Sequence, residues 1–150
     1  MENQEINQQV ENTIVITDEI KKYFLEISKW GKFLAIVGYI GMGFLVLLSL
    51  FLMVGVSLIP NVNGSGMPMA AAGFVYLLMA GAYFFPITYL YNYSVKIKQG
   101  LTTNDQQNVT SAFMNLKSLF KFFGIFTIVI LSIYALILIV AVPMAIVFAL

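Results

Sequence analysis

The stretch Phe33–Ile59 reads FLAIVGYIGMGFLVLLSLFLMVGVSLI and holds no charged residue. A bilayer's hydrocarbon core is about 30 Å thick and needs roughly 20 apolar residues of helix to cross it. This run is long enough to span with some tilt. The pattern extends outward from it. No charge occurs between Lys32 and Lys96, and none after Lys121. Every charge therefore lies in the first 32 residues or between Lys96 and Lys121. Such segregation marks an integral membrane protein. The chain is 60% hydrophobic and 10% charged, against about a quarter charged in an ordinary soluble domain.

The spans follow from that map. The first, at 33–59, is closed by Pro60, and NVNGSGM at Asn61–Met67 is a short uncharged turn. The second, at 69–90 and extending to about 98, opens on Pro68, which suits a first helical turn. Pro86 inside it is expected to kink it, and Gly100 is the expected C-terminal stop. The third runs over 123–150 and contains Pro143. Ahead of the first span, Thr17 is an expected N-cap, with Asp18 and Glu19 favourable at the positive end of the dipole. From it, 17–32 reads as an amphipathic helix with Ile20, Tyr23, Phe24, Ile27 and Trp30 on one face. It either lies in the membrane interface or extends the first span as a stalk. A second amphipathic helix is expected at 104–122, capped by Thr103 or Asn104. Its stripe is Val109, Ala112, Phe113, Leu116, Leu119 and Phe120, continued by Phe123. Residues 1–16 are a polar, acidic tail without the features of a secretory signal. The fold expected is an all-α integral membrane protein, with one membrane domain over 17–150. It comprises three transmembrane helices and two amphipathic helices on the cytoplasmic side.

The two halves share a pattern at an offset of about 89 residues: Phe24, Lys32 and Phe33 align with Phe113, Lys121 and Phe122. Duplication would produce this, and so would the common physics of entering a membrane, which is the simpler account. Lysines lie before the first span and between the second and third. The hairpin between the first and second has none. Positive charge stays on the cytoplasmic side, which predicts a cytoplasmic N-terminus and an external C-terminus.

The composition also excludes functions. The chain has no Cys, no His and no Arg. Thiolate metal sites, imidazole acid–base chemistry and guanidinium clamping of phosphate all require what is missing. All seven carboxylates lie outside the spans, so no ionisable group sits at membrane depth to couple protons. Net charge is only +1, which gives no electrostatic case for nucleic acid. No enzyme activity and no cofactor are expected. What the spans offer is packing surface. Gly38, Gly41 and Gly43 thin the first span. Ala141, Ala145 and Ala149 recur every four residues in the third, a small-xxx-small pattern that permits close helix approach. Tyr39, Tyr76 and Tyr134 are expected between helices, where their hydroxyls find partners. Lys29, Lys32, Lys96, Lys98, Lys117 and Lys121 are candidates for lipid-headgroup contact, although topology alone accounts for them.

Ile27–Met42 (ISKWGKFLAIVGYIGM), Tyr83–Leu101 (YFFPITYLYNYSVKIKQGL) and Phe113–Ile125 (FMNLKSLFKFFGI) together resemble a family of small bacterial multi-pass membrane proteins of the Bacteroidetes type, a domain of unknown function. The resemblance implies a bacterial cytoplasmic (inner) membrane location. It brings no catalytic residue and no cofactor. The partners expected are the lipid bilayer and either the chain itself or other membrane subunits. The function expected is that of a structural or accessory component, with an oligomeric pore or passive transporter as the alternative.

Overall fold

A computed structural model describes the backbone of residues 16–55 and 69–149, and the side chains of 16–54 and 71–141. The polar tail, the Asn61–Met67 turn with its flanking Pro60 and Pro68, and Leu150 lie outside the described residues, as do the side chains of Ala145 and Ala149. The described residues form three long helices: α1 (Asp18–Leu50), α2 (Met69–Thr103) and α3 (Gln106–Ala149). A π-helical turn, Phe51–Gly55, continues α1. All three are long and apolar enough to cross a membrane.

The two amphipathic segments are not separate elements. Residues 17–32 and 104–122 are helical, but each runs without a break into the span that follows. The reason is local. Neither junction contains a proline, and although Gly31 and Gly124 flank them, a single glycine costs a helix only about 1 kcal/mol. At 1.5 Å per residue, α1, α2 and α3 are about 50, 52 and 66 Å long. All three exceed a bilayer core, so each has length to spare as a stalk. Thr17 caps α1 as expected, its hydroxyl accepting from the Ile20 N–H at 3.4 Å.

The link from α2 to α3 is shorter than a helix stop at Gly100 would leave. Helix α2 continues past Gly100 to Thr103. Asn104, with φ 53°, takes the left-handed conformation that ends it. The Asp105 N–H then reaches back to the Gly100 carbonyl at 2.9 Å, the six-to-one bond of a Schellman motif. Asp105, rather than Thr103 or Asn104, caps α3. Its Oδ1 accepts from the Gln107 and Asn108 N–H groups at 2.8 and 3.3 Å. Gly100 serves a different purpose from the stop expected of it. A Cβ there would sit 2.7 Å from the Val109 backbone nitrogen, so glycine lets the start of α3 fold back against α2.

Helix α2 is central, with α1 and α3 each packed antiparallel against it. The α1–α2 seam is built from small residues. Ser28, Ala35 and Ser49 are buried on α1, and Gly73, Ala80 and Ser94 on α2, at intervals that are multiples of seven within each helix. A seven-residue period keeps one face of each helix on its partner. The Ser28 hydroxyl donates to the Ser94 carbonyl at 2.7 Å, deep in this seam. At its far end, Gly73 lies against α1 where the π turn begins. A Cβ there would stand 2.8 Å from the Ser49 carbonyl oxygen. Pro86 is buried within α2, which stays helical through it. Helix α3 is likewise continuous through Pro143.

Candidate membrane-entry collar

The apolar core of the molecule lies at its charged end. Tyr93, Ile97 and Leu101 of α2 pack with Val109 and Ala112 of α3, and Phe24, Leu25 and Leu116 close around them. The expected stripe on α3 faces this core as far as Leu119. Beyond it, Phe120 and Phe123 are exposed. The expected stripe on α1 does not face the bundle. Of its members only Phe24 packs inward; Ile20, Tyr23, Ile27 and Trp30 are exposed. The buried face of α1 is instead Phe24, Ser28, Gly31 and Ala35. A hydrophobic pattern could not single out that face, because apart from Phe24 its residues are small and partly polar. The readable signal was the three–four spacing of small residues: Ser28, Gly31, Ala35, Gly38.

Antiparallel packing brings all eight lysines to one end of the bundle: the first half of α1, the last part of α2 and the first half of α3. Phe24 and Phe113 fix the relative height of α1 and α3, their rings meeting edge to face at 5.7 Å. Lys32 and Lys121 each follow eight residues later, so the last lysines of the two helices stand at about the same level. Together with Lys29, Lys98 and Lys117 they form an exposed collar. Lys21 and Lys96 are half buried, and Lys96 donates to the Ser111 hydroxyl at 2.6 Å, tying α2 to α3. Eight lysines face four carboxylates here (Asp18, Glu19, Glu26 and Asp105), an excess of four positive charges. No ion pair forms among the described residues. Nor do three or more of their carboxylates gather in a way that could hold a metal ion.

The expected packing residues divide. Gly38 lies in the α1–α2 seam, where a Cβ would come 3.0 Å from Ile87. Gly41 and Gly43 face open space, pointing away from α2. Ala141 is exposed. Tyr39 sits between helices, its hydroxyl 3.0 Å from that of Thr88. Tyr134 is 63% exposed, and Tyr76 also faces outward. Ser49, Thr88 and Ser132 bond back to carbonyls of their own helices. Helix α3 has a long uncovered stretch. From Phe123 to Ala141 every residue is exposed except Ile130, which is half buried.

Comparison with protein-family models, with curated proteins and with solved structures returns no match to this chain. These comparisons lend no support to the expected likeness to bacterial multi-pass membrane proteins.

Proposed function

We propose that this chain is a structural or accessory membrane protein of the bacterial cytoplasmic membrane, packing against itself or against a larger complex. One observation carries the reading. Helices α1 and α2 pack face to face along their length, whereas among the described residues the apolar part of α3 is exposed over Phe123–Ala141 apart from the half-buried Ile130. Lipid alone would satisfy such a helix. What favours a protein neighbour is the four-residue repeat Ala141, Ala145, Ala149, which allows close backbone approach. The lysine collar faces the cytoplasm in this reading, and its exposed members, Lys29, Lys32, Lys98, Lys117 and Lys121, meet anionic headgroups. Such contacts are worth about 1 kcal/mol each near a charged surface.

The test is the mass of the full chain purified in mild detergent. A homo-oligomer or a co-purifying foreign subunit is expected, and replacing Ala141 and Ala145 together by Leu should reduce it to the single chain. A monomer with no companion contradicts the proposal. A symmetric oligomer that leaks ions from liposomes would replace it with the pore reading.

A further inference from the structure

At the charged end the three helices occupy three corners of a square. Helices α1 and α3 each pack on α2, while their own backbones stay apart. They meet through Phe24 and Phe113, whose rings touch edge to face at 5.7 Å, and Tyr93 of α2 reaches Phe113 at 6.5 Å. Neighbouring helices in a bundle lie about 8–10 Å apart, so partners across the diagonal lie about 11–14 Å apart and touch through large side chains. The fourth corner lies between α1 and α3 on the side away from α2. It is open among the described residues, since Phe113 stays 40% exposed at the centre of the arrangement. We propose that the N-terminal segment of this same chain, Met1–Val15, fills that corner, running back along α1 from the tip of the bundle towards the lysine collar.

Two helices line the corner. On α1, Ile20 and Ile27 lie four residues before and three after Phe24, on its side of the helix, and both are exposed. On α3, Lys117 and Phe120 lie four and seven residues beyond Phe113, on its side, and both are exposed, with Lys121 at the rim. The corner is thus an apolar slot with lysine along one wall.

The segment matches the slot in position, length, pattern and charge. Ile16 stands at the tip of the bundle beside Leu101 and Val109, so the chain upstream of it enters there. Met1–Val15 has as many residues as the stretch from Asp18 to Lys32, about 22 Å of helix in each case. Ile6, Val10 and Ile14 recur every four residues, which puts them on one helical face. With a turn at Ile16–Thr17, Ile14 comes level with Ile20, Val10 with Phe24 and Ile6 with Ile27. Glu5 and Glu2 then come about level with Lys117 and Lys121. The segment holds three glutamates and no lysine, opposite in sign to the excess of lysine around the slot. A short connection gives antiparallel neighbours, and in an up-down-up-down bundle the first and fourth helices are adjacent. The tether also holds the segment near its slot at an effective concentration on the order of millimolar, an advantage that neither a second copy nor a foreign helix has. Lys29, Lys32 and Lys98 stay open to headgroups.

Trp30 is the chain's sole tryptophan, and it is exposed at the level that position 3 would reach. Asn3→Cys introduces a single cysteine to carry a nitroxide, which quenches indole fluorescence at short range. The full chain is studied in mild detergent, before and after the nitroxide is reduced. Trp30 emission should be lowered about two-fold or more by the nitroxide, as a tethered segment held in place requires. The quenching should persist when the Asn3→Cys chain is co-expressed with an excess of cysteine-free Trp30→Phe chain. Ile6→Asp together with Val10→Asp should restore full emission while the helical circular dichroism of the spans is kept. Three results overturn the proposal: no quenching, quenching that survives the double substitution, or quenching lost on co-expression, which would assign the corner to a segment from a second copy.

Discussion

Single atoms decide where the helices can meet. At Gly73 a Cβ would sit 2.8 Å from the Ser49 carbonyl oxygen and 3.1 Å from the Met53 nitrogen. These are backbone atoms and cannot rotate away. Gly73→Ala should therefore destabilise the fold by about 1–3 kcal/mol, the cost of overpacking a filled interface. Gly81 on the same helix has open space at its Cβ position. Gly81→Ala should be neutral, or stabilising by up to about 1 kcal/mol, because it only removes glycine's entropic cost in a helix. Thermal unfolding followed by circular dichroism in one detergent checks the pair. Opposite signs support the seam, and equal shifts refute it. Ile97 is fully buried at the centre of the stalk core. Truncating it to Ala should cost about 2–5 kcal/mol in the same assay.

The helices show which features sequence could predict and which it could not. Thr17 was legible as a cap because its chemistry is local: a hydroxyl, then acidic residues, then an apolar run. The long apolar runs were legible because length and absence of charge suffice. The extent of each helix was not, since Gly31 and Gly124 beside the two junctions could as well have ended a helix as been carried within one. Gly100 was misassigned for an instructive reason. Glycine both ends helices and admits close neighbours, and only the folded-back α3 shows that the second use applies. Asn104 was the true stop, a residue that tolerates the left-handed region. The packing glycines were half legible. Gly38 faces α2, whereas Gly41 and Gly43 do not, because a seven-residue seam at Ser28, Ala35 and Ser49 sets which face turns inward. The Asp105 cap gives a prediction at this scale. Asp105→Ala should cost about 1 kcal/mol, the worth of a lost N-cap. It should also speed amide exchange at Gln107 and Asn108 ahead of the rest of α3. Uniform exchange across the helix would contradict that role.

At the scale of the whole molecule, the charge map and the packing carry the same message. Antiparallel helices gather every lysine at one end, and a small apolar core sits at that end rather than midway along the helices. The collar is thus braced from within by Ile97 and its neighbours, and by the Lys96–Ser111 bond across α2 and α3. Past the collar α3 is exposed among the described residues except at the half-buried Ile130, a surface open to lipids or other subunits.

The central claim is that the collar marks the cytoplasmic face of a chain crossing the membrane three times. The chain contains no cysteine, so single cysteines can be placed without background. Thr103→Cys lies at the exposed link beside the collar, and Asn63→Cys lies between the first two spans. Intact cells are treated with a membrane-impermeant maleimide, before and after permeabilisation. The account predicts labelling at position 63 in intact cells and at position 103 only once the membrane is opened. Labelling at position 103 in intact cells, or the same accessibility at both positions, would contradict it.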